Sequence, residues 1–163
     1  MAQNRPKPIS ALELAKRVRR ITKIARGMGF VGKIEYRHVF SQAGGAQYGL
    51  AHAVKDDLLT IYAEAFDRDA DDDDFSLEAI IAHERGHQLI ERHTLIRKHL
   101  PKPWSEGSDE TVASILGSLV VVDDIDREIL IAKAVVEIHK RGLEFEKASV
   151  LVYKLRAILG ECL

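Results

Sequence analysis

Residues 83–87 read His-Glu-Arg-Gly-His, the pattern H-E-x-x-H. On a helix, residues four apart share a face about one turn apart, so the imidazoles of His83 and His87 can hold a single metal ion. Glu84 is rotated about 100° from His83 around such a helix. From there its carboxylate can take a proton from a water that the metal activates, the chemistry by which zinc enzymes hydrolyse peptide bonds. Glu84 is therefore the candidate catalytic residue, a general base. His83 and His87 are candidate zinc ligands.

A catalytic zinc site takes three protein ligands and leaves one position open. The chain's single cysteine, Cys162, excludes both an intrachain disulfide and a cysteine-based zinc site. Two spacings compete for the third ligand. His93 follows His87 by six residues, the metzincin spacing, but Ile90 stands where that pattern has its turn glycine. On an unbroken helix His93 would point about 120° away from His87. Glu110 is the better candidate. It falls in the first turn of the next predicted helix, with Ala113 small enough for close helix approach and Ser114 one turn on. Two histidines on one helix and a glutamate from a second form a gluzincin-like set. Glu106 and Asp109 stand behind Glu110 as alternatives.

The elements that must position these residues follow from periodicity. A capping-box pattern at Ser10–Glu13 starts a helix at Ala11 that Gly27-Met28-Gly29 ends. Alternation predicts strands over 33–40, 47–54 and 58–66, broken by Gly44-Gly45 and by Lys55-Asp56-Asp57, which together make a small, mainly antiparallel sheet. The motif helix runs from Phe75 to about Leu100, with Asp74 as its cap, until Pro101 and Pro103 stop it. Ser108 caps a further helix to about Val121. Asp123-Asp124 opens another through Lys140, with Ile125, Ile129, Ala132, Val136 and His139 among its inward positions, and Phe145–Leu159 is the last. The final two helices form a C-terminal hairpin.

Composition bounds the rest. A chain of 163 residues with 46% hydrophobic and 30% charged residues suits one soluble domain and excludes wholesale disorder. The longest nearly apolar stretch, 113–122, is too short to span a bilayer, and the N-terminal sequence lacks a signal-peptide core. The expected setting is cytoplasmic. Net charge is −1, but residues 1–37 carry ten Lys/Arg against two Glu, and residues 38–80 carry two against ten acidic groups. The basic stretch reads as a solvated helix face or as one paired with the acidic segment, not as a nucleic-acid surface. Asp67, Asp69, Asp71, Asp73 and Glu78 fall at calcium-loop positions, but Asp72 occupies the place of the turn glycine, so this run reads as a solvated acidic loop. Among Tyr48, His52, His139 and Tyr153, no candidate for stabilising an oxyanion stands out. His38 and His99 read as ordinary core or surface histidines.

Over residues 45–122 the chain resembles the ImmA/IrrE family of small zinc metallopeptidases. The resemblance rests on LLTIYAEAF before the motif, on IIAHERGHQL around it, and on DETVASILGSLV, which is similar to that family's E-x-x-A-[N/D] helix. It departs at Ser114, where the family has Asn or Asp, and it lacks the leucine-methionine-proline ending of that helix. The resemblance implies His83, His87 and Glu110 as zinc ligands and Glu84 as general base. It also implies a specific protein substrate, such as a helix-turn-helix transcriptional repressor. The expected fold is α+β: one zincin-like domain over 1–163, with the site-bearing core over 9–122 and the helical hairpin over 123–163. The expected function is zinc-dependent cleavage of a protein partner, with substrate held along a sheet edge. The alternative is a catalytically weak or inactive zincin-fold regulatory binding module.

Overall fold

A computed structural model of the chain describes residues 5–41, 44–50, 57–67, 75–99 and 109–163. The chain is α+β and mostly helical, with six α-helices and one three-stranded sheet among the described residues. It divides into two compact units, Met1–Ile81 and Ala82–Leu163. The expected boundary between core and hairpin, at 122/123, falls inside the second unit. No helix among the described residues is long and apolar enough to cross a membrane.

The first unit opens with α1 (Ala11–Gly27), which Ser10 caps by accepting the Glu13 N–H at 3.1 Å. Ile21 and Ala25 are its buried residues, and they join Phe30, Leu59 and Ile61 in one apolar core. The strands are β1 (Lys33–Arg37), β2 (Ala46–Leu50) and β3 (Asp57–Tyr62), in the order β1-β3-β2. β2 and β3 are antiparallel, as expected, but β1 lies parallel to β3, so the sheet is mixed and not mainly antiparallel. Alternation marks a strand but not its direction. Here the chain after β1 passes the end of β3 before turning back. Val39 and Gly45, on either side of that crossing, accept the N–H groups of Ala63 and Tyr62. Gly44 and Gly45 both take positive φ there, which residues with a Cβ rarely do. β1 stops at Arg37, three residues early, because Val39 N–H turns back onto the Arg37 carbonyl. β3 gives way after Tyr62 to a 3₁₀ turn, Ala63–Ala65.

α2 (Leu77–Arg92) begins two residues later than expected. Ser76 caps it by accepting the Ala79 N–H at 3.0 Å. Asp74 and the acidic run 69–74 lie outside the described residues, as do His52, Glu106 and Ser108. The motif helix also ends early: α2 stops at Arg92, and a separate short helix, α3 (Thr94–His99), follows across His93.

In the second unit the central element is α4 (Asp109–Val120). Its residues 111–118 are buried on every side, as a helix in the middle of a core must be. α5 (Asp124–Lys140), capped by Asp123, and α6 (Phe145–Cys162) pack on each other and on α4. The inward face of α5 is rotated from the expected one. Asp126, Leu130, Ile131, Ala134, Val135 and Ile138 are buried, while Ile125 is 71% exposed and Val136 and His139 face solvent. Two apolar stripes run along this helix, and periodicity admits either. Packing between α4 and α6 selects the second.

Candidate metal centre

The three proposed ligands lie in the second unit, His83 and His87 on α2 and Glu110 in the first turn of α4. What lets these helices meet is small residues on both. A Cβ built on Gly86 would overlap the Ala113 carbonyl oxygen, and one on Gly117 would lie 2.8 Å from the Ala82 carbonyl oxygen. Ala82 and Gly86 are thus matched, one turn apart on α2, with Gly117 and Ala113 on α4. Gly86 sits between the two histidines, so the closest backbone approach occurs where the ligands must converge. Gly117 was not singled out from sequence. The signal was there in small residues four apart on both helices.

Glu110 straddles the histidine pair. Its Oε2 lies 2.9 Å from His83 Nε2 and its Oε1 lies 3.1 Å from His87 Nε2, while the two Nε2 atoms are 3.2 Å apart. The rings stand edge to face with centroids 4.8 Å apart. Zinc bonds of about 2.0–2.2 Å set the corners of a tetrahedron roughly 3.3–3.6 Å apart. The observed separations are slightly tighter. The donor set, two imidazole nitrogens and a carboxylate, could hold a metal ion. His93 is not part of this cluster, since it lies at the α2–α3 junction after a helix that runs unbroken through Ile90. Asp109 lies beside the cluster but outside it.

Ser114 holds His83 from behind, with Oγ 2.9 Å from Nδ1 and both side chains buried. If the hydroxyl accepts the Nδ1 proton, Nε2 presents a bare lone pair to Glu110 and His87. That tautomer suits a metal ligand. When the Nε2 atoms carry protons instead, they are donors to the carboxylate. Hydrogen bonds from His83 and His87 hold the Glu110 carboxyl far below the usual carboxylate range. Burial draws the His87 imidazole down, but the Glu110 hydrogen bond and the charges of Glu84, Glu110 and Asp109 outweigh it and leave it above its ordinary value. Glu84 is buried and its charge is felt at His87, so this carboxylate lies near the cluster without belonging to it.

His139 Nδ1 lies 2.9 Å from the Leu143 carbonyl oxygen, at the turn into α6. His38 joins a network in the first unit. Tyr153 is exposed on α6, and Tyr48 is part of β2 in the first unit.

No model of a protein family matches this chain, and neither a curated protein nor a solved structure does.

Proposed function

We propose that the chain is a zinc-dependent metallopeptidase, of the kind its sequence resembles in the ImmA/IrrE family, acting on a specific protein partner in the cytoplasm. The observation that carries this reading is the convergence of His83 Nε2, His87 Nε2 and the Glu110 carboxylate within hydrogen-bonding distance of one another. These three would bind the ion. Zinc, when bound, supplies Lewis acidity and lowers the pKa of a water. Glu84 then has two tasks. It accepts a proton from the attacking water, and it delivers that proton to the nitrogen of the leaving peptide. Ser114 fixes the ring of His83, and the Gly86–Ala113 approach fixes the distance from the pair to Glu110. By resemblance the partner is a helix-turn-helix repressor.

A second reading, a zincin-fold module that binds its partner without cutting it, draws on Ser114. A neutral hydroxyl behind a metal-binding histidine raises its basicity less than a carboxylate or amide would. Glu84→Gln separates the two. The variant keeps size and hydrogen bonding but cannot take the proton at neutral pH. It should retain fold and zinc, measured by elemental analysis, and should lose partner cleavage by at least about a hundredfold. If Glu84→Gln supports the full biological effect, cleavage is not the function and the binding module is correct.

A further inference from the structure

The first unit contains a cavity of about 500 Å³ whose wall carries Arg5, Lys7, Arg17, His38, Phe40 and Phe66. A chain of hydrogen bonds builds the wall. Arg17 Nη1 donates to the Tyr36 hydroxyl at 2.8 Å, and that hydroxyl lies 2.8 Å from His38 Nδ1. His38 Nε2 in turn lies 2.7 Å from the Lys7 carbonyl oxygen. Each link has one donor and one acceptor when His38 carries its proton on Nε2 and Tyr36 donates to Nδ1. The last link ties the segment before α1, with its two cations, to the end of β1. Arg17 is held twice more: its guanidinium lies over the Phe66 ring, 4.7 Å from the centroid, and its Nε donates to Glu13 at 3.1 Å.

That arrangement leaves positive charge unspent. Arg5 and Lys7 are exposed and have no carboxylate partner among the described residues, and Arg17 Nη2 likewise has none. Among the described residues that line the cavity, Asp67 is the one carboxylate. Cations gathered in a concave wall attract anions more strongly than the same charges spread on a flat surface. A guanidinium edge matches the paired oxygens of phosphate or carboxylate. The volume is that of a site for a small organic molecule. We propose that this cavity binds a small organic anion, an oxyanion head on an apolar body, with Arg5, Lys7 and Arg17 on the head and Phe40 against the body.

The test is calorimetry on the full chain without added metal, so its outcome does not depend on peptidase activity. The probes are phenyl phosphate and benzoate, which share an apolar body and differ in head, and inorganic phosphate, which is a head alone. Saturable binding of phenyl phosphate or benzoate is expected, and the tighter of the two identifies the head. The double variant Arg5→Gln, Lys7→Gln removes no side-chain hydrogen bond described above and keeps the Lys7 carbonyl, so its thermal unfolding should match the parent. Its affinity should fall about tenfold or more. Raising sodium chloride from about 0.05 to 0.5 M should weaken binding of the parent as well. The proposal is overturned if neither organic probe binds below about 10 mM, if the double variant binds as the parent does, or if inorganic phosphate binds as tightly as phenyl phosphate.

Discussion

Two polar clusters, one in each unit, obey opposite rules. In the first unit, Arg17, Tyr36, His38 and the Lys7 carbonyl form a line in which each link pairs one donor with one acceptor. In the second, two Nε2 atoms 3.2 Å apart both face one carboxylate. With both Nε2 atoms protonated, each carboxylate oxygen accepts one N–H, but the two nitrogens then stand only 3.2 Å apart. With one of them bare, its lone pair faces an anion. A cation at the centre would satisfy all three groups. The lesson is that links with one donor and one acceptor each hold a wall in place by themselves, while nitrogens and a carboxylate gathered round one point leave a place for a cation.

Five substitutions sharpen or break this contrast. The largest effect is expected from Glu110→Ala, which should weaken zinc binding by more than about a hundredfold, beyond the usual cost of losing an outer partner. His93→Ala should leave it unchanged. If the two results are exchanged, the triangle is not the metal site. The parent's affinity should also fall as pH is lowered, because the raised pKa of His87 lets protons compete for its lone pair from above the ordinary histidine value downwards. Next comes Gly86→Ala, which should cost about 1–3 kcal/mol by forcing α2 and α4 apart, visible as a lower Tm together with weaker zinc binding. Ser114→Ala should lower zinc affinity by roughly 10- to 100-fold and leave secondary structure unchanged by circular dichroism. The smallest effect belongs to the line in the first unit. Tyr36→Phe removes two links and should cost about 1–2 kcal/mol in urea unfolding, with zinc binding unaltered. Weaker zinc binding in that variant would mean that the two clusters are not independent.

Much of the helical framework was legible in sequence because its signals are local. Ser10 and Asp123 sit one residue before the helices they start, and Gly142 follows the end of α5. The spacing of His83 and His87 guarantees a shared face on any helix. What was not legible depended on partners distant in the chain. The direction of β1 is set by how the segment after it passes β3, and no property of its own residues records that. The inward face of α5 was chosen by α4 and α6 from two apolar stripes of similar strength. Asp74 was an apt cap by type, but Ser76 stands at the right distance from Ala79 N. Glu110 could be nominated for its place in a first turn. That its carboxylate meets both imidazoles depends on Ala82, Gly86, Ala113 and Gly117, four small residues that carry no chemistry of their own.

α2 has one backbone and two allegiances. Its hydrogen-bonded ladder runs without a break from Leu77 to Arg92, while Leu77, Ile80 and Ile81 belong to the apolar core of the first unit and Leu89 and Ile90 to that of the second. A five-residue piece of helix cannot persist alone, because nucleating a turn costs more than so few bonds return. The first turn of α2 therefore keeps its helical shape only while the turns that carry His83 and His87 are formed.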